Sequence, residues 1–305
     1  MSPRRPVEPA APGVVAPAPA DLRLTSPAAV RRLLDAAGVR PSRALGQNFL
    51  VDANILRIVL DAADLRPDDR VLEIGAGLGV LTGALAARVA RVLTIEKDAR
   101  LLELARRRLA ATPGIEWLRA DALDVDLEAR LAGGLNKVVS NLPYSAGTDL
   151  LLALACAEHR PARMVVTLQA DVADRLSAAP GAASYGPLSV AVQLVCEVRR
   201  VHAVSPTCFW PVPAVWSAVV RLDRRPPPAG GVGRVADFAA FVRASFAPRR
   251  KQIGSILSGR AGAEGDARAW LAEAAVPPAA RPEDLAVDDW CRLWAARERR
   301  AGRAP

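Results

Sequence analysis

Three short stretches of this chain carry groups that could do chemistry together. In VLEIGAGLG, Val71 to Gly79, a strand-like run leads into Gly75, Gly77 and Gly79 and then into a helix starting near Leu81. Glycine lets the backbone turn tightly and approach a ligand at the carboxyl end of a strand, which is where open α/β sheets bind ligands. A nucleotide-like cofactor belongs there. The G-x-G-x-G spacing differs from the G-x-G-x-x-G of dinucleotide binders, and the next strand-like run ends in Glu96, an acceptor suited to both ribose hydroxyls. A further run, IEWLRA, is followed by Asp121, placed to accept from an adenine amino group. The bland alternatives are a tight strand-to-helix turn for the glycines and an ordinary cap for Asp121. The order of glycine loop, acidic strand end and aspartate, with Glu73 inside the first strand, weighs against both. These residues leave NAD and S-adenosylmethionine open.

The third stretch decides between them. Asn141-Leu142-Pro143-Tyr144 follows the run KVVS and so falls at the same edge of the sheet. An exocyclic aromatic amine is a poor nucleophile, because its lone pair is delocalised into the ring. An enzyme must therefore accept its hydrogens and hold its nitrogen in line with a sulfonium methyl. An asparagine carbonyl and a backbone carbonyl freed by proline can do both, and Tyr144 offers a π-face for a flipped base. The competing reading is a proline turn with Tyr144 in the core. An NAD-dependent oxidoreductase is disfavoured by the glycine spacing and by the lack of a histidine or lysine placed to handle a proton.

The elements that must position these residues alternate along the chain. Short apolar runs at 71–74, 92–95, 115–118, 137–140 and 164–168 alternate with helical segments, the rhythm of a doubly wound parallel sheet. Val198 to Val204 and Val215 to Leu222 flank a proline-rich corner, as expected of an antiparallel pair added at one edge. Ser26 and Pro27 signal a first helix that stops at Gly38; a loop, Arg43 to Leu50, precedes a second capped by Asp52. Residues 1–20, rich in Pro and Ala, are expected to form a disordered tail. A catalytic domain is then expected over 21–224, a Pro/Gly linker over 225–233, and a small helical domain, whose basic surplus suits a nucleic acid, over 234–305. Helices in that last part are expected at 238–246, 249–257, 270–275 and 288–299.

Composition narrows the classes further. The chain has 305 residues and no long uncharged apolar stretch, which argues against a membrane span. Its formal charge of +9 suits a polyanionic partner, and from Val201 onward sixteen Arg and Lys face ten Asp and Glu. The run Arg249-Arg250-Lys251 is the candidate RNA contact, its alternative a solvated helix face. Cys156, Cys196, Cys208 and Cys291 form no C-x-x-C pair and are read as reduced, buried thiols of a cytoplasmic protein; no metal site is expected.

The ordered set LGQNFLVD (45–52), LEIGAGLGVLT (72–82), IEKD (95–98), NLPY (141–144), SYGPLSVAVQ (184–193), FWPVPAVWSAVVRL (209–222) and FAPRRK (246–251) resembles the ribosomal RNA adenine N6-dimethyltransferases, the KsgA type. The resemblance runs from about residue 24 to 299. It implies a class I methyltransferase fold, a Rossmann-like doubly wound sheet of seven strands with a small C-terminal helical domain. The implied cofactor is S-adenosylmethionine, contacted by Gln47, Asn48, Leu50, Gly75, Gly77, Glu96, Lys97, Asp121, Ala122 and Asn141. Catalysis falls to Asn141, Leu142, Pro143 and Tyr144, with Tyr144 and Phe209 sandwiching the adenine. The implied partner is 16S rRNA in the small ribosomal subunit or its precursor, met by a monomer. Erm-type enzymes, which act on 23S rRNA, share most motifs but typically read N-I-P-Y or N-I-P-F at the turn, so Leu142 and the helical RRK region favour the small-subunit enzymes. A non-catalytic assembly factor of the same fold is opposed by the intact Asn141 and Tyr144. Departures stand at Ala170, Pro187, Ala214, Trp216 and Gly254, and they bear on the RNA contacts and so on the substrate.

Overall fold

In a computed structural model, residues 24–42, 45–226, 232–248, 250–259 and 267–300 are described. The expected tail, most of the Pro/Gly linker and Arg249 lie outside them. The first helix, α1 (Pro27–Ala36), is capped by the Ser26 hydroxyl, which accepts from the Ala29 N–H. It is followed by β1 (Phe49–Leu50) and α2 (Ala53–Ala63), whose cap Asp52 accepts from Asn54 and Ile55. The residues before Val51 are thus not all loop, as the sequence suggests. Phe49 and Leu50 pair antiparallel with β8 (Phe209–Trp210), a partner too remote along the chain for local pattern to reveal.

The main sheet is built from β2 (Arg70–Ile74), β3 (Arg91–Glu96), β4 (Ile115–Arg119), β5 (Lys137–Asn141), β6 (Arg163–Gln169), β7 (Cys196–Val204) and β9 (Ser217–Arg224). Its seven strands run in the order β4-β3-β2-β5-β6-β9-β7. Neighbours from β4 to β6 are parallel, and β9 and β7 add antiparallel at the edge. Intervening helices α3 (Val80–Ala86), α4 (Ala99–Arg108), α5 (Leu127–Ala132), α6 (Gly147–Cys156), α7 (Ala170–Ser177) and α8 (Pro187–Val195) cover the two faces. The strands read as near-continuous apolar runs because both faces are buried. Val71, Val92 and Val139 enter the core under α1 to α3, while Leu72, Leu93 and Val138 enter the core on the opposite face.

The C-terminal helices are α9 (Val235–Phe246), α10 (Ile253–Ser258), α11 (Ala267–Glu273) and α12 (Val287–Arg300). Their apolar side chains, Phe238, Trp270, Trp290 and Leu293 among them, continue the core beneath α6 and α8. The Trp294 indole donates to the Val232 carbonyl at 2.9 Å. One expected helix is shorter than its sequence suggests, since α10 begins at Ile253 and not at Arg249. Pro248 follows the end of α9, and Arg250 turns the chain at φ +67°, outside the helical region. Arg250 and Lys251 therefore sit exposed in a connection, not on a helix face.

Candidate active site

The order of the sheet reverses between β2 and β5, and there the crevice opens. The two strands pair only at Val71 and Leu72 before diverging. Beyond that point the buried Ser140 hydroxyl replaces the ladder, accepting from the Ile74 N–H at 3.3 Å and donating to the Ile74 carbonyl at 2.6 Å. A crevice at the carboxyl ends of strands where their order switches is the common ligand position of open α/β sheets. Here it is a cavity of about 350 Å³, walled by the loops after β2, β3, β4 and β5 and by residues 45–50.

All ten residues expected to meet the cofactor line this cavity, as do Leu142, Pro143 and Tyr144. Gly77 has φ +53°, and a Cβ there would lie 3.3 Å from the Phe49 ring, so the turn needs both its backbone angle and its missing side chain. Its N–H donates to Glu96 Oε2 at 2.9 Å, while Glu96 Oε1 accepts from the Asp98 N–H at 2.8 Å. Each carboxylate oxygen has a lone pair left for a ligand hydroxyl. Burial raises the Glu96 carboxyl above its usual range despite these two donors. Glu73 is deeper: burial pushes it up to about 8, against the hydrogen bond that its Oε2 accepts from Thr82 at 2.6 Å. At the mouth, the Lys97 ammonium meets Asp121 Oδ2 at 2.5 Å and holds that carboxyl below its ordinary value. Gln47 donates to Asp98 at 3.2 Å, tying residues 45–50 to the end of β3.

At the turn after β5, Asn141 Nδ2 donates to the Asn48 carbonyl at 3.1 Å, which fixes the amide and leaves Oδ1 on its other side. That oxygen is buried and has no hydrogen-bond partner. An acceptor left so costs about 1–3 kcal/mol, a cost removed by a ligand that donates to it. Gly46 lies against Tyr144 and Ser145, where a Cβ would be 3.3 Å from the Tyr144 nitrogen, so the N-terminal motif is packed onto the turn. The Tyr144 hydroxyl lies 2.5 Å from Ser217 Oγ, a buried partner that no local pattern in the sequence signals.

Phe209 is not open to the cavity. It is fully buried, with its ring 6.5 Å from that of Tyr144 at 74°. Two parallel rings around a base need about 7–8 Å between them, twice a van der Waals contact. The two aromatics are therefore adjacent but not arranged as a sandwich. The cysteines also differ from expectation, for only Cys196 is fully buried and Cys156, Cys208 and Cys291 are half-buried; all four are free.

Two departures from the family pattern have packing reasons. A Cβ at Gly254 would fall 2.9 Å from the Pro278 carbonyl, so no basic side chain fits there without moving that loop. Pro187 occupies the first turn of α8, where its missing N–H costs nothing. Nothing in the structure explains Ala214.

Comparison with known proteins places this chain in a family. The family model for ribosomal RNA adenine dimethylase matches residues 40–297. The chain belongs to the ribosomal RNA adenine dimethylase family. It is 42% identical over 284 residues to the ribosomal RNA small subunit methyltransferase A of Pelotomaculum thermopropionicum, covering 88% of this chain and 96% of that one. The protein of the same name from Geobacter metallireducens is 40% identical over 261 residues, covering 84% and 95%. Among solved structures, the 23S rRNA methyltransferase ErmE superposes with a TM-score of 0.59 at 29% identity, covering 82% of this chain and 99% of that one. A dimethyladenosine transferase from Plasmodium falciparum superposes with a TM-score of 0.69 at 22% identity, covering 82% and 97%, a likeness of fold. The protein is a class I methyltransferase, its methyl donor is S-adenosylmethionine, and its reaction is dimethylation of adenine in ribosomal RNA.

Proposed function

We propose that this enzyme dimethylates two adjacent adenines of 16S rRNA in the small ribosomal subunit or its precursor, acting as a monomer in the cytoplasm. The observation that carries the catalytic part is the partnerless, buried Asn141 Oδ1 at the cavity wall. Support for the small subunit comes from relatives of 40–42% identity that share that substrate by name, against 29% for the 23S enzyme. The basic surplus after Val201 fits an RNA partner.

The residues present fit the donor. Gly75 and Gly77, which line the cavity, would bring backbone close to it, Glu96 would accept from its ribose hydroxyls, and Asp121 and Ala122 would border its adenine. When bound, S-adenosylmethionine supplies an electrophilic methyl on a positively charged sulfur. Asn141 Oδ1 accepts one hydrogen of the target amine, a carbonyl of the Leu142-Pro143 turn accepts the other, and the nitrogen lone pair is left free to point at the methyl. Tyr144 supports the base through its ring, steadied by Ser217, while Phe209 backs Tyr144 edge-on. No general base is needed, because the amine loses its proton after transfer.

The test is to incubate the purified enzyme and labelled S-adenosylmethionine with unmethylated small subunits and, separately, with large subunits. Label confined to adenines of small-subunit RNA is expected; label confined to large-subunit RNA would overturn the substrate assignment.

A further inference from the structure

The corner between β8 and β9 presents an aromatic side chain that the reaction described above does not use. Five large apolar side chains are well exposed among the described residues, and three of them, Val212, Val215 and Trp216, stand in this one corner. Trp216 is 56% exposed. Its backbone is fixed: the Trp216 carbonyl accepts from the Ala170 N–H at 2.9 Å, and the next residue, Ser217, begins β9 in register with Gln169 of β6. The other end of the corner is held by β8 pairing with β1.

Its position is the second observation. Ser217, one residue on, holds the Tyr144 hydroxyl at 2.5 Å, and consecutive Cα atoms lie about 3.8 Å apart, so the Trp216 backbone adjoins the support of the Tyr144 ring at the cavity wall. The third observation is the charge pattern. From Ala203 to Val220 the chain carries no charged residue, in a protein of which 24% is charged and which binds a polyanion. Arg31 brings a cation over the Trp210 ring at the β8 end of the corner, 5.6 Å from its centroid, and a segment with no charge of its own suits the apolar face of an unstacked base. Rigid anchoring lowers the ordering cost of such a contact, and sequence-tolerant stacking on aromatic side chains is how single-stranded RNA is commonly held.

We propose that Trp216 is a stacking platform for a nucleobase next to the target adenine, making it a substrate-positioning residue of this enzyme. The proposal rests on the reading of ribosomal RNA as the substrate. A base stacked there keeps the RNA splayed at the cavity mouth while its neighbour occupies the Tyr144 site.

The test compares Trp216→Phe, Trp216→Leu and Trp216→Ala on unmethylated small subunits, with cofactor affinity measured by calorimetry to confirm an intact site. Loss of one stack weakens subunit affinity by about 5- to 150-fold. The expected result is that loss for Leu and Ala, near-native affinity for Phe, and unchanged cofactor affinity in all three. A photo-crosslinking amino acid at position 216 should join to a nucleotide beside the methylated adenines. Leu as good as Phe, no loss in any variant, or a crosslink to a ribosomal protein or to distant RNA would overturn the proposal. If the wild-type enzyme itself failed to bind and methylate the subunit, the substrate reading would fall instead.

Discussion

The buried, partnerless Oδ1 of Asn141 is the atom on which the proposed catalysis turns. Its amide nitrogen is held by the Asn48 carbonyl, so the orientation of Oδ1 is set before any ligand arrives. Removing one such preorganised group should act on the transition state, and Asn141→Ala is expected to lower single-turnover methyl transfer by about 10²–10³ at saturating cofactor and RNA. Recovery of normal turnover once cofactor saturates would reduce Asn141 to a binding role. Glu73 carries a pH dependence of stability. An ordinary glutamate ionises near 4.5, but burial, with Glu96 close by, pushes the folded group up to about 8. The folded state therefore keeps a proton that the unfolded chain has lost, and stability is full below 4.5 and falls as pH rises toward 8. Glutamine mimics the protonated acid. The Tm of Glu73→Gln relative to wild type should rise steadily between those pH values, and a gap that does not change with pH would show that Glu73 is ionised in the native state.

At the scale of elements, the site depends on how strands β2 and β5 hand over to their loops. The strand runs and the glycine loop were legible in the sequence because their signals are local: apolar runs bounded by turns, and glycines where φ must be positive. The pairing of Phe49-Leu50 with Phe209-Trp210, and the Ser217 partner of Tyr144, were not, because both are contacts between segments distant in the chain. The RRK run misled by its composition, which suits a helix, while the left-handed backbone of Arg250 excludes one. Gly77→Ala tests the loop. It should lose about 1–2 kcal/mol from the left-handed backbone, and cofactor affinity with it, whereas Gly181→Ala, at φ +80° with open space around it, should lose stability alone. Equal cofactor affinities in the two variants would contradict the close approach at Gly77. Arg250 and Lys251 stand exposed beside α10. Replacing Arg249, Arg250 and Lys251 by alanine should flatten the slope of log affinity against log salt by about 1.5–2 if two or three phosphates are neutralised there. An unchanged slope would assign the run to solvent.

For the whole molecule, the fold joins a sheet edge that carries the cavity to a basic C-terminal part that shares its core. Trp290 and Trp270 are buried in the core that α9 to α12 share with α6 and α8, so the helical part is packed onto the helices that cover the sheet. That arrangement suits a large RNA partner, which must be gripped away from the cavity while a single base enters it. We propose that this cavity dimethylates adenine in small-subunit RNA through Asn141. The most direct measurement is mass spectrometry of ribosomal nucleosides from a strain lacking the gene, complemented with the wild-type protein or with Asn141→Ala. Dimethyladenosine should be missing from small-subunit RNA of the deletion strain, return with the wild type and stay missing with the variant; its persistence in the deletion strain, or a loss confined to large-subunit RNA, would contradict the account.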